Sequence, residues 1–477
     1  MEELNQCNEY MLEFFAPPAA KPRLAEDKIA AEYRRMRLKV FLGAFLGYAA
    51  YYLVRKNLSL AAPGMIAEGL LDKPTAGFAM AGIPIAYAFS KFLMGSLSDH
   101  SDARKFLVVG LIVASTVMAS IGFIPFADSI GVNGWILFGF MLLVGWLSGM
   151  GWPPCGRVMA HWFSQNERSF KMSIWNCSHN LGGGSLGLLV SVGVMILASM
   201  GIAQTWRAAF IFPSLVALLT AAVCWWALRD RPEACGLPPI EEFRNDYSSQ
   251  KAEKGEEQKI PFRRLFVDYV FKNHLLWMIA IANVFVYFVR YGVSDWAPTY
   301  LQELELLSAA DSRFAFSLFE YAGIPGTIIC GWLSVKFFQG RCAPVNVIAM
   351  AMVVLGLLGY WQVEPIAQAL GCSVNAVVYV TLSLTGFAVY GPIAMIGIQA
   401  LSFVPKNAAG TAAGFVGLFG YLLGDALLSK IVVGHIADSS LGWNAIFWLF
   451  VVGSVVATLI CAVTWHKEKV MMEQRCK

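Results

Sequence analysis

A chain of 477 residues, 57% of them hydrophobic and only 14% charged, with a mean hydropathy of +0.58, carries more apolar surface than a soluble fold of this length tolerates. That composition excludes a cytosolic enzyme and leaves a polytopic membrane protein. The net charge of +4 is modest, and its cations gather at the ends of apolar runs, so it reads as a topological signal and not as a nucleic-acid footprint.

The first 37 residues are polar, carry Glu2, Glu3 and Glu13 and show no cleavable apolar segment, so the first span is expected to serve as the targeting signal. Apolar stretches of membrane-crossing length then recur at about 38–62, 75–97, 106–126, 134–160, 169–198 and 207–228, and again at 275–300, 312–337, 344–362, 376–403, 408–434 and 443–465. These twelve runs lack strand alternation, and lipid cannot satisfy irregular backbone, so helices are predicted throughout. The expected fold is an all-α membrane protein of twelve transmembrane helices in two pseudo-symmetric six-helix bundles. Its divisions are an N-terminal segment 1–37, a first bundle 38–228, a linker 229–272, a second bundle 273–465 and a tail 466–477.

Cations concentrate before the first span (Arg34, Arg35, Arg37, Lys39), in the even loops (Arg104, Lys105, Arg168, Lys171, Lys336, Arg341, Lys406), in the linker and after the last span. The odd loops hold little beyond Lys73 and Arg313, which places both termini and the linker on the cytoplasmic side. The Lys/Glu-rich middle of the linker, 248–259, reads as solvated and flexible. Ten cysteines without metal or C-x-x-C spacing read as small apolar residues, and neither a metal nor a cofactor is expected.

The two halves echo each other at a nearly constant offset. Tyr52-Leu-Val-Arg55 answers to Tyr287-Phe-Val-Arg290, Gly95-Ser-Leu-Ser to Gly331-Trp-Leu-Ser, and Trp206-Arg-Ala-Ala-Phe210 to Trp443-Asn-Ala-Ile-Phe447. A parallel six-plus-six duplication joined by a linker is the layout of the major facilitator superfamily, whose ligand site lies between the bundles near the midplane. The stretch Asp99-His-Ser-Asp-Ala-Arg104-Lys105 is similar to that superfamily's loop between helices 2 and 3, with His100 and Asp102 where a basic residue and a glycine are usual; Val335 stands at the position equivalent to Asp99, so a latch there would be one-sided.

The repeat puts one arginine of each half deep in an apolar run. A guanidinium at the bilayer midplane costs about 2.5 to 3.5 kcal/mol on insertion scales, so the pair needs a use. Tyr48, Tyr52 and Arg55 share a helical face, as do Tyr87 and Lys91, Asn176 and His179, and Tyr287 and Arg290 with Tyr291 adjacent. Arginine presents a permanently charged planar fork that takes two phosphate oxygens at once, and two such forks match a dianion. Phosphate or a phosphate monoester is the better match, with sulfate and dicarboxylates as alternatives. The competing use is a structural ion pair with Asp295 or Glu320. Lys91 either binds the ligand or snorkels to the membrane edge, and His179 either contacts the ligand or is a satisfied core histidine. Lys56, about 100° from Arg55 around the helix, is expected to pair with Asp295 in preference to Glu320.

The chain resembles the organophosphate:phosphate antiporters of the major facilitator superfamily from about Arg34 to the end of the twelfth span. The resemblance rests on Gly47-Tyr-Ala-Ala-Tyr-Tyr-Leu-Val-Arg-Lys-Asn57, Ala86-Tyr-Ala-Phe-Ser-Lys91, Met150-Gly-Trp-Pro-Pro-Cys-Gly156, Trp175-Asn-Cys-Ser-His-Asn180, Cys235-Gly-Leu-Pro-Pro-Ile-Glu-Glu242, Asn283-Val-Phe-Val-Tyr-Phe-Val-Arg-Tyr-Gly292 and Tyr321-Ala-Gly-Ile-Pro-Gly-Thr327. It implies alternating-access exchange of an organic phosphate, foremost glycerol-3-phosphate, for inorganic phosphate, by a monomer in the bacterial inner membrane. It further implies phosphate-binding roles for Arg55 and Arg290, substrate-site roles for Lys91 and His179, an aromatic lining of Tyr48, Tyr52, Tyr87, Trp152, Tyr287, Tyr291, Tyr390 and Tyr421, and a charge pair of Lys56 with Asp295. Asp425, with Lys430 five residues on, departs from the glycerol-3-phosphate branch and resembles the hexose-6-phosphate branch, which makes Asp425 a specificity candidate. Hexose-6-phosphate exchange and a transporter-like sugar-phosphate sensor are the alternatives; an enzyme is not expected, since no Asp/His/Ser cluster of catalytic spacing lies at a membrane face.

Overall fold

The computed structural model describes residues 13–247, 265–404 and 408–475, and they are helical apart from short connections. Among the described residues eleven helices are long and apolar enough to cross a membrane, with Lys73–Asp99, Ala103–Ile121, Ile130–Trp162, Gln165–Ser199 and Thr205–Ala227 in the first half (spans 2 to 6). His274–Glu303, Ala309–Phe338, Ala343–Trp361, Val374–Ser402, Gly410–Asp438 and Gly442–Val470 form spans 7 to 12. The remaining crossing, span 1, was expected as one run over 38–62 but is two helices, Glu26–Tyr52 and Asn57–Ala67. The linker middle 248–259 and Lys406 lie outside the described residues.

The break in span 1 falls on residues 53–56, so the chain turns just where Arg55 and Lys56 must leave the helix. Freed backbone carbonyls in a membrane interior need donors. Asn57 supplies them: its amide nitrogen donates to Leu53 O at 2.9 Å and, across to span 6, to Ala209 O at 2.7 Å. Span 11 departs from α geometry differently. Gly420–Val432 is wound as a π-helix, in which residues five apart lie one above the other. Just past it, Gly434 permits close approach of span 11 to span 2, since a Cβ there would meet Lys73 O at 2.7 Å.

Residues 14–37 strap the start of the linker to the first half. Tyr33 stacks on Phe243 at 4.0 Å and donates to Pro238 O at 3.0 Å, while Arg23 pairs with Glu242 at 2.6 Å. In the loop between spans 2 and 3, the helix end is held by Arg157, which donates to the carbonyls of Ser98, Asp99 and Ser101 and pairs with buried Asp230 at 3.2 Å. The Asp99 carboxylate is outside this set because the helix end needs its backbone carbonyls capped, and Arg157 serves them. Val335 of the second half is 74% exposed and contributes nothing comparable.

The halves meet most closely toward the face opposite the linker. Lys73 pairs with Glu303 at 2.8 Å, Arg313 donates to Ser191 at 2.9 Å, and Ser185 and Tyr321 share a hydrogen bond at 3.0 Å. Lys73 and Arg313, the two cations of the odd loops, are thereby used to close that face. Lys56 with Asp295 and Glu320, and Lys73 with Glu303, join the two halves by ion pairs from the molecular centre out to this far face.

Candidate functional site

Span 7 brings Tyr287, Arg290, Tyr291 and Asp295 onto the inner wall, all of them buried. Arg290, 3% exposed, donates to Tyr390 Oη at 3.0 Å and Tyr291 Oη at 3.2 Å, and its Nε has no hydrogen-bond partner. Its guanidinium also lies 4.5 Å from the Tyr291 ring centre and 4.4 Å from that of Tyr390. Arg55 repeats the arrangement in the first half, 4.9 Å over Tyr52 and 4.3 Å over Tyr87. Neither arginine has a carboxylate within 4.0 Å among the described residues, so the structural ion pair weighed above is not formed by either.

Tyrosine rings do for these cations what an acid would undo. A ring face stabilises a guanidinium by about 0.5 to 2 kcal/mol through its quadrupole, yet leaves the positive charge and the in-plane N–H fork available. An aspartate would neutralise the charge and occupy the fork.

A central cavity of about 140 Å³ is lined by Arg290, Lys91, His179, Asn176, Trp152, Tyr48, Tyr52, Tyr87, Tyr287, Tyr390 and Tyr421, together with Thr327, Ile393 and Ala394. Eleven sequence-derived candidates therefore converge in one place, from spans 1, 2, 4, 5, 7, 10 and 11. His179 sits between Tyr52 and Tyr390, with ring centres 5.4 and 5.7 Å away. Lys91 is exposed and its Nζ lies 5.8 Å from the Trp152 ring centre, so it lines the cavity and does not leave it for the membrane edge.

Arg55 and Tyr291 are not among the residues lining that cavity. The expectation that both arginines face one shared space needs correcting: Arg55 opens instead on an adjoining cavity of about 30 Å³, lined also by Tyr52, Lys56, Tyr291, Asp295, Asp425 and Lys430. The reason is packing at the break in span 1, which seats Arg55 against Tyr52 and Tyr87, two residues of the larger cavity's wall.

The expected Lys56–Asp295 pair is also incomplete. Lys56 Nζ is 3.0 Å from Asp295 Oδ1, 2.9 Å from Glu320 Oε1 and 2.8 Å from Ser294 Oγ, so it bridges both acids at once. Burial explains this, since a desolvated ammonium is stable only when all three donors are engaged. Tyr390 donates to Glu320 Oε2, Lys430 pairs with Asp295 Oδ2, and Lys430 lies 3.0 Å from Asp425 Oδ1. A continuous polar chain therefore runs from Arg290 through Tyr390, Glu320, Lys56, Asp295 and Lys430 to Asp425. Asp425, the specificity candidate, is held at the end of this chain by Lys430.

Sequence reading missed Lys430 as a site residue, and also Ser294, Asn180, which donates to Glu320 O at 3.1 Å, and Thr327. The signal for Lys430 was present as a second intramembrane cation close to an acid, but five-residue spacing on an α-helix turns the two apart.

This is the architecture of a two-bundle membrane carrier with a cation-lined centre enclosed between its halves. The chain belongs to the Major Facilitator Superfamily, whose characteristic pattern matches residues 44–429. It is 45% identical over 459 residues to the glycerol-3-phosphate transporter of Bacillus subtilis (strain 168), covering 96% of this chain and 99% of that protein. It is 33% identical over 463 residues to a probable hexose phosphate transport protein of Chlamydia pneumoniae, covering 95% and 96%. Among solved structures it is similar to a bacterial homologue of the human lysosomal transporter Spinster in an inward-facing, unoccupied conformation, with TM-score 0.62, 16% identity and coverage of 91% and 97%.

Proposed function

We propose that this protein is a secondary transporter that exchanges an organic phosphate, glycerol-3-phosphate first, for inorganic phosphate, and that it is not an enzyme. The observation that carries this reading is the pair of tyrosine-stacked arginines, one from each half, Arg290 buried and Arg55 half-buried, with no carboxylate within 4.0 Å of either among the described residues. A phosphate drawn in between the bundles would replace ring faces with bidentate oxygen contacts and relieve the repulsion between the two cations. Residues 38–228 and 273–465 act as two bodies that rock about this centre, in a monomer of the bacterial inner membrane whose termini and linker face the cytoplasm. In the conformation described, the face opposite the linker is the sealed one, so ligand exchanges with the linker side.

The movement of Arg55 into the larger cavity is part of the same proposal. In this structure the two forks open on adjoining cavities, and a bridging phosphate requires the Tyr52 and Tyr87 rings to yield. A ligand can shift a carrier only through such differential contacts. An empty carrier keeps two uncompensated cations and crosses its occluded state slowly, which makes exchange obligatory.

Similarity to the Bacillus subtilis glycerol-3-phosphate transporter supports the glycerol phosphate, whereas similarity to the Chlamydia pneumoniae protein and the presence of Asp425 favour a hexose phosphate as the second reading. The deciding experiment loads proteoliposomes with radiolabelled phosphate and measures its exit against glycerol-3-phosphate, glucose-6-phosphate or no counter-anion. Exit driven by glycerol-3-phosphate well ahead of glucose-6-phosphate is expected. Equal exit into buffer without any counter-anion would overturn exchange, and preference for glucose-6-phosphate would select the second reading.

A further inference from the structure

The Asp295 carboxylate has one lysine on each oxygen, and the two lysines come from different halves. Lys56 of span 1 approaches Oδ1 at 3.0 Å, and Lys430 of span 11 holds Oδ2. All three side chains are buried, at 6% exposure for Lys56, 2% for Asp295 and 4% for Lys430. Lys430 is anchored on its other side by Asp425 at 3.0 Å, and Asp425 is steadied by Ser429 Oγ at 3.3 Å. Only the Lys56 contact crosses between the halves; Asp295, Asp425 and Lys430 belong to the second half and stay together when it moves.

Opening the far face must draw Lys56 away from both acids it bridges. A buried carboxylate left without its partner is strongly unfavourable, which would lock the carrier closed. Each acid, however, has a standing partner within its own half: Glu320 keeps the Tyr390 hydroxyl, and Asp295 keeps Lys430. We propose that Lys430 is a positioning residue for alternating access, a resident counter-ion that neutralises Asp295 when Lys56 withdraws and so sets how readily the far face opens. Asp425 tunes it by competing with Asp295 for the same ammonium. This rests on the transport reading above but names a residue and a role that the phosphate site does not require.

The geometry makes opposite forecasts for two closely related variants. Asp425→Asn releases Lys430 entirely to Asp295, so the open state is better compensated and the far face opens more often. Asp425→Asn combined with Lys430→Met leaves Asp295 with Lys56 as its one cation and, within its own half, only the neutral Ser294 hydroxyl at 3.0 Å, so the far face stays shut. A purely structural contribution of the pair would move both variants the same way.

The test uses the full-length protein in proteoliposomes with spin labels on Met200→Cys, just past the far end of span 5, and Leu370→Cys, at the end of the short helix Val363–Leu370 that follows span 9 (68% and 72% exposed), after exposed Cys372 is replaced by serine. Label-to-label distance distributions report the open fraction without any substrate. The open fraction is expected to rise about twofold or more in Asp425→Asn and to fall about as far below wild type in the double variant, whose maximal phosphate exchange drops about fivefold at unchanged KM. Equal open fractions in the two variants overturn the proposal, as does a raised KM with unmoved distances, which would make Lys430 a ligand contact. Should the double variant not insert, Asp425→Asn alone decides: an unchanged or reduced open fraction sinks the role. Loss of the transport reading would show as absent phosphate exchange in the wild type, a result that leaves the distance comparison intact.

Discussion

The two arginines were legible from their residue types and spacing. Tyr52 and Arg55 lie three apart, as do Tyr287 and Arg290, and apolar flanks on both sides force such side chains inward. What the spacing did not carry is how each charge is held, because cation–π contacts from Tyr87 and Tyr390 come from other spans. The fork argument gives a firm expectation. Arg55→Lys and Arg290→Lys should each lower phosphate exchange about 10- to 150-fold, since charge-assisted hydrogen bonds are worth roughly 1.5 to 3 kcal/mol each and a point charge replaces two of them by one. Initial exchange rates in proteoliposomes measure this, and near-normal rates in both variants would remove the arginines from the site. Tyr390→Phe should act differently. It removes the hydroxyl that accepts from Arg290 and donates to Glu320, leaving a buried acid short of one donor. Phosphate affinity of the purified protein, read by calorimetric titration, is expected to weaken about tenfold while the protein remains folded.

The twelve spans could be read from apolar length because the bilayer sets that length, whereas the two interruptions could not. Span 1 reads as continuous in hydropathy, and its break depends on Asn57 finding Ala209 O in span 6, a partner remote in sequence. Asn57→Ala should leave the Leu53 and Ala209 carbonyls without this donor in an apolar setting and lower stability by about 1 to 3 kcal/mol. A fall of several degrees in the melting temperature of the detergent-solubilised protein checks it; an unchanged value would mean that the break is held by packing alone. The π-winding of Gly420–Val432 has the larger consequence for the site. On an α-helix, residues five apart point about 140° away from each other, so Asp425 and Lys430 read as unrelated charges. One extra residue per turn stacks them and creates the 3.0 Å pair. Hydrophobic periodicity cannot announce such a segment, since nearly every side chain around it is apolar.

At the scale of the whole molecule, the duplication told that the halves are equivalent, but the ion pairs of Lys56 and Lys73 between them are drawn to one side. Lys73 and Arg313 looked like exceptions to the charge asymmetry of the loops, and the structure turns them into the closure of the far face: Lys73 on Glu303, Arg313 on Ser191, with Lys56 on Asp295 and Glu320 deeper in. The outermost of these, Lys73–Glu303, reaches the surface and is weak at about 0 to 1 kcal/mol, so it can part on every cycle. A covalent tie in its place could not. Lys73→Cys and Glu303→Cys joined by a short bismaleimide should therefore hold the far face shut, abolish phosphate exchange and yet leave phosphate binding from the linker side near its wild-type affinity. Binding lost together with exchange would mean that the central cavity reaches solvent through the far face, and exchange surviving the tie would mean that the two bundles need not separate there at all.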